Sequence, residues 1–210
     1  MQALLEAAAP LLASAFTLWG APVTWLEIVA FVLALAMVGC NIRVIHWGWP
    51  LAAASSLLYF LLFWNYKLYG DAGLQIFFAV VALWGWSQWL RGRRADGSAL
   101  DVRHLSPRGR WLAVAAVACA WPVLGWWLDA HTDTDVPYWD AFPTAASVVG
   151  QVLLARKFVE NWPTWLVVNL VALVLFAYKG LWLTTLLYAL FAALSIVGWR
   201  AWQQRATQTA

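Results

Sequence analysis

Charge is what this sequence has least of. Only 11% of its 210 residues are Asp, Glu, Lys or Arg, where a soluble domain carries roughly 25%, so the chain lacks the polar surface to stay in water. Cysteine is nearly absent too. Cys40 and Cys119 both sit inside apolar runs, which excludes a disulfide framework and any cysteine-based metal spacing. His46, His104 and His131 are scattered through loops and segment ends. No HExxH, GxSxG, P-loop or GxGxxG pattern occurs, and no two carboxylates share a depth and a face of an apolar segment. Catalysis, a metal centre, a cofactor and an ATP-driven pump are all without support. The first twenty residues lack a basic n-region, so no cleavable signal peptide is expected.

What is there is apolar. Hydrophobic residues make up 64% of the chain, the mean hydropathy is +0.70, and runs of the ~20 residues needed to cross a bilayer as a helix recur. The class is an all-α polytopic membrane protein. The segmentation predicts residues 1–22 as an N-terminal peripheral helix, with an extra span as the alternative. Residues 23–90 read as three transmembrane helices, 91–110 as a basic loop exposed to solvent, and 111–128 as a linker transmembrane helix. An outer acidic loop at 129–140, three further helices over 141–202 and a tail at 203–210 complete the chain.

The basic residues orient this seven-helix scheme. Arg43, the six arginines from Arg91 to Arg110, Arg156, Lys157, Arg200 and Arg205 fall on one side, and only Lys67 and Lys179 on the other. By the positive-inside rule the 91–110 loop and the C-terminus are cytoplasmic, and the start of the first span is outside. This bias accounts for the net charge of +3 without a nucleic-acid partner.

Sliding the chain by 113 residues aligns 27–89 with 140–202 without a gap. The matches include Glu27/Asp140, Arg43/Arg156, Trp49/Trp162, Pro50/Pro163, Gly85/Gly198, Trp86/Trp199 and Trp89/Trp202. The repeat unit is three helices, and one helix separates the copies, so both enter the membrane in the same direction. Parallel repeats of this 3+1+3 kind predict a transporter with its substrate site between the two bundles near the midplane.

Polar residues inside the spans are the candidates for that site, because an amide in an apolar span is costly without a partner. Asn169 lies midway along span six, one helical turn from Trp165, and Ser56 is its repeat equivalent. Gln75 lies one turn into span three, and its equivalent in span seven is Tyr188. Interhelical hydrogen bonds are the plain alternative for each. Together they form a set of amides, a phenol and indoles without fixed charge, which suits a polyhydroxylated aromatic ligand that is neutral or weakly cationic. Of the 18 tryptophans, Trp84, Trp86, Trp89, Trp199 and Trp202 read as interfacial belt. Trp47, Trp49, Trp162, Trp165 and Trp182 are considered for a site or gate, with Trp165 and Trp182 favoured by their polar neighbours.

The run from Glu160 to Trp202 resembles the second repeat of PnuC-type vitamin transporters, which take up nicotinamide riboside. The resemblance rests on Trp162, Trp165, Asn169, Tyr178-Lys179-Gly180-Leu181, Thr184, Tyr188, Gly198 and Trp202. In the first copy it rests on Trp49-Pro50, Lys67, Leu68-Tyr69-Gly70-Asp71, Gln75, Gly85-Trp86 and Trp89. It implies a SWEET-like fold and facilitated diffusion across the bacterial inner membrane, made one-way by cytoplasmic phosphorylation of the vitamin. It also implies a homo-oligomer, with a trimer suggested. Carried over residue by residue, it assigns Gln75, Asn169, Trp182 and Tyr188 to the ligand, with Asn65, Lys67 and Trp165 as further contacts. The family often carries an acidic residue where this chain has Asn169. A carrier of a sugar or of another vitamin such as thiamine is the alternative within the same class. A receptor or scaffold that fills its own cavity is the alternative outside it.

Overall fold

The structure, a computed structural model, describes residues 2–18, 20–65, 69–93, 97–132, 136–178 and 182–208. The expected turns at 66–68, with Lys67, and at 179–181 lie outside these residues. The chain divides into two compact units, Met1–Leu90 and Arg91–Ala210.

In the first unit, helix α1 (Gln2–Leu12) leads into strands β1 (Ser14–Leu18) and β2 (Ala21–Thr24), which pair antiparallel. The hairpin corrects the sequence reading, which made residues 1–22 a peripheral helix throughout. Helix α2 (Trp25–Arg43) starts on a capping box. The Glu27 backbone N–H donates to Thr24 Oγ1 at 3.2 Å, and the Thr24 N–H donates to Glu27 Oε2 at 2.7 Å, satisfying two donors that a helix start leaves open. Glu27 therefore serves the helix terminus. Helices α3 (Gly48–Asn65) and α4 (Tyr69–Arg91) complete the unit.

The second unit holds α5 (Pro107–His131), α6 (Pro137–Ala155), α7 (Asn161–Tyr178) and α8 (Trp182–Gln208). Helices α5 and α6 both begin four residues before the expected 111 and 141. Proline at the first position suits a helix start, where its missing N–H would have no partner. Ser106 caps α5 by accepting the Gly109 N–H at 3.1 Å. Asp140, expected in the outer loop, lies in the first turn of α6, where a carboxylate complements the helix dipole. Among the described residues, five helical stretches, in α2, α4, α5, α7 and α8, are long and apolar enough to cross a bilayer. This is a helical membrane protein whose β1–β2 hairpin precedes α2.

The two units repeat one another in detail. After the first helix of each repeat the chain turns through a left-handed residue, Val44 at φ 60° and Lys157 at φ 57°. The turn bonds correspond pair by pair. Ile45 N–H donates to Cys40 O at 2.9 Å and Phe158 N–H to Leu153 O at 2.9 Å; Gly48 N–H donates to Ile45 O and Asn161 N–H to Phe158 O, both at 3.1 Å. Beyond each turn a buried tryptophan packs on a glycine of the third helix. A Cβ on Gly85 would come within 2.3 Å of the Trp49 ring, and one on Gly198 within 2.5 Å of the Trp162 ring. Each ring then meets a second indole edge-on, Trp49 on Trp89 at 5.7 Å and Trp162 on Trp202 at 5.6 Å, both at 83°. Trp89 and Trp202 are buried, which corrects their assignment to the interfacial belt: the glycine one turn earlier lets the neighbouring helix close over them. Trp49 and Trp162 are equally buried, so they are core rather than gate.

The expected solvent-exposed loop at 91–110 is also corrected in part. Leu100 and Val102 are buried, and Arg103 forms a parallel bridge with Phe158. Around Arg103 the chain packs on the turn between α6 and α7, inside the second unit.

Candidate functional site

In the second unit the polar candidates gather on the seam between α7 and α8. Asn169 is buried, and its Nδ2 donates to Ser195 Oγ at 3.2 Å; that hydroxyl donates in turn to Phe191 O at 2.7 Å. The amide expected to wait for a cargo therefore has a protein partner on the neighbouring helix. A hydroxyl that passes its proton back to its own helix leaves its lone pairs for the amide, so the pair is satisfied at low cost in an apolar span.

Next to this pair sits an aromatic group. Tyr188 stacks on Phe176 at 5.1 Å and 30° and meets Phe191 edge-on at 5.9 Å. Phe191 joins the two halves: its ring faces Tyr188 and its carbonyl holds Ser195. Trp165 turns away to α6, where a Cβ on Gly150 would lie 3.1 Å from its ring. Trp165 and Asn169 share a face of α7, as the spacing predicts, yet they meet different neighbours because that face straddles α6 and α8.

Trp182 opens α8, and its side chain lies outside the described residues. In the first unit Gln75 is half-buried on α4, and Asn65 is exposed as the last residue of α3. Lys67 is outside the described residues. Ser195, Phe176 and Phe191 were missed. The signal for two of them was present, since Tyr188, Phe191 and Ser195 fall at i, i+3 and i+7 on α8 and so share a stripe.

Two further features bound the chemistry. Among the described residues no group of three or more His, Cys, Asp or Glu could hold a metal ion. An aromatic cleft of about 250 Å³ in the second unit is lined by Trp121, Tyr138, Trp139, Phe142 and Val171. It has almost no hydrogen-bonding surface, so it does not suit a hydroxylated ligand.

Residues 24–204 match the family described as nicotinamide mononucleotide transporter. The chain belongs to this family. It is thereby a membrane transporter and not an enzyme. The chain is 33% identical over 203 residues to the riboflavin/roseoflavin transporter RibM of Streptomyces davaonensis, covering 91% of this chain and 90% of the relative. It is 26% identical over 208 residues to the nicotinamide riboside transporter PnuC of Escherichia coli, covering 87% of each. A crystal structure of the vitamin B3 transporter PnuC superposes with a TM-score of 0.73 at 24% identity, covering 89% of this chain and 83% of that one. At that identity the likeness establishes the fold.

Proposed function

We propose that this transporter carries a vitamin, nicotinamide riboside in the first reading, by facilitated diffusion across the bacterial inner membrane, with cytoplasmic phosphorylation trapping the product. The observation that best supports it is the α7–α8 seam, where a stacked aromatic group borders an amide–hydroxyl pair with no charged side chain among them. A flat heteroaromatic head joined to a hydroxylated sugar carries matching chemistry, since ring faces stack and hydroxyls exchange hydrogen bonds with amides. Gln75, Asn169, Trp182 and Tyr188 are proposed to meet the cargo, with Asn65, Lys67 and Trp165 as further contacts. In this reading the seven helices α2 to α8 all span the bilayer as 3+1+3, with the C-terminus cytoplasmic, and the protein works as a homo-oligomer.

A second reading, riboflavin, is favoured by two observations. Identity is higher to RibM than to PnuC of Escherichia coli. In addition, neutral Asn169, already bonded to Ser195, offers no counter-charge to a pyridinium, whereas a flavin is uncharged. Uptake of labelled nicotinamide riboside and of labelled riboflavin into proteoliposomes separates the two. The first reading expects saturable riboside uptake without ATP or an ion gradient. Riboflavin uptake without riboside uptake selects the second. Uptake of neither, with thiamine or glucose carried instead, overturns both.

A further inference from the structure

The segment at 97–106 is tied to the turn between α6 and α7 far more firmly than a connecting loop requires. Its backbone joins that turn as a short ladder, with Arg103 N–H donating to Lys157 O at 3.1 Å and Val159 N–H donating to Arg103 O at 2.9 Å. Lys157 Nζ donates to Leu100 O at 3.0 Å, and the Arg103 guanidinium lies 4.9 Å above the Phe158 ring. Leu100, Val102 and Val159 are buried in the process.

Glu160 collects the remaining bonds. Its Oε2 accepts the Leu105 N–H at 2.9 Å; its Oε1 accepts Arg110 Nε and Nη2, each at 2.9 Å, and lies 3.3 Å from His104 Nδ1. Exposed ion pairs contribute little. This carboxylate, however, is only 17% exposed although its Arg110 partner is 54% exposed. It meets two guanidinium nitrogens through Oε1 and holds a backbone amide through Oε2, and such charge-assisted bonds are stronger than neutral ones. Glu160 is also the foot of α7, because Thr164 N–H and Thr164 Oγ1 both donate to its carbonyl at 3.3 and 2.9 Å. Leu105 directly precedes Ser106, the cap of α5, and Arg110 lies in the first turns of α5. One side chain thus fastens the start of α5 to the start of α7. The repeat-equivalent turn of the first unit carries Trp47 where the second carries Glu160, and there Ile45 and Trp47 are exposed.

We propose that Glu160 is a positioning residue: through it the 97–106 strap clamps the starts of α5 and α7, so that α5, α6 and α7 move as one piece during transport while the first unit lacks this anchor. The transport half of this inference rests on the uptake reading above, and the clamp half does not. The test is amide hydrogen exchange on the purified full-length protein, together with uptake kinetics, for Glu160→Gln, Glu160→Asp and Arg110→Gln. Glu160→Gln should speed exchange across residues 100–106 about ten- to hundredfold, the scale of losing charge-assisted bonds. It should lower the maximal uptake rate while leaving the half-saturating concentration within about twofold, the signature of a slowed conformational step rather than a lost cargo contact. Glu160→Asp should restore part of both. Arg110→Gln, which leaves the Leu105 bond in place, should give a smaller change and serves if Glu160→Gln fails to fold. Unchanged exchange in both variants overturns the clamp whichever vitamin is carried. Faster exchange with an unchanged maximal rate overturns the positioning role, as does a rise in half-saturating concentration without a fall in rate.

Discussion

Replacing Gly198 by alanine sets two known effects against each other, and the structure says which wins. A methyl at Gly198 would lie 2.5 Å from three atoms of the Trp162 ring, about 1 Å inside the distance at which carbon atoms attract. The ring has nowhere to go: it is 3% exposed and held edge-on against Trp202. Either α7 and α8 separate or the indole leaves its rotamer, and overpacking of this kind costs about 1–3 kcal/mol. Alanine returns about 1 kcal/mol of helix propensity, so the net expectation is a loss of up to about 2 kcal/mol. Gly39 in α2 isolates the second effect, because nothing lies within 4 Å of its added Cβ. Gly39→Ala should be neutral or stabilise by up to about 1 kcal/mol. Gly85 offers an independent repeat of the experiment, with the Trp49 ring 2.3 Å from its added Cβ, and Gly85→Ala should cost about as much as Gly198→Ala. The assay is the unfolding midpoint of detergent-solubilised protein, with Gly39→Ala at or above wild type and both Gly198→Ala and Gly85→Ala below it. Trp162→Leu combined with Gly198→Ala should cost less than the sum of the two changes, since the clash is shared. A midpoint for Gly198→Ala as high as that of Gly39→Ala would refute the reasoning, because the buried ring would then be free to yield.

Two further predictions concern the seam and the strap. A double-mutant cycle over Asn169→Ala and Ser195→Ala should give a coupling of about 0.5–1.5 kcal/mol in stability, the range for interhelical bonds in membranes. If Asn169 also meets the cargo, Asn169→Ala should weaken cargo binding by about 1–3 kcal/mol in a titration where Ser195→Ala changes it little; equal losses in both would make the pair purely structural. Burial lowers the pKa of Lys157 below its usual range. Between that lowered value and the ordinary lysine value the unfolded chain binds more protons than the folded one, so stability rises with pH across this alkaline window. Lys157→Met should flatten that rise in unfolding midpoints taken from pH 8 to pH 11, and an unchanged slope would assign it to another group.

The repeat was legible because tryptophan, proline and glycine are too distinctive to match by chance in an ungapped register. Their roles were harder to read. Trp89 and Trp202 look like belt residues at the ends of apolar spans, and only the approach of Trp49 to Gly85 and of Trp162 to Gly198 shows that they are core. Val44 carries no sign of its left-handed backbone, since a β-branched residue is among the least expected there; the turn bonds on either side impose it. Leu100 and Val102 are two apolar residues in a polar run, and the partners of Glu160 lie 50 to 56 residues away, beyond any local pattern.

Comparing the copies separates frame from content. The left-handed turn, the buried tryptophan, its glycine and the second indole are the same in both units. The middle positions differ: Ser56 stands against Asn169, Gln75 against Tyr188, and Ala82 against Ser195. Packing alone does not require this. Where Trp165 packs on Gly150 in the second unit, the equivalent positions of the first carry Ala52 and Met37, so the large and small residues are exchanged in the sequence. The middle positions change chemistry instead: an amide, a phenol and a hydroxyl in the second copy stand against a hydroxyl, an amide and a methyl in the first. On the proposed reading the cargo has an aromatic head and a hydroxylated tail, so the seam of the second unit, where Asn169, Tyr188 and Ser195 stand in place of Ser56, Gln75 and Ala82, is where selectivity has to be sought.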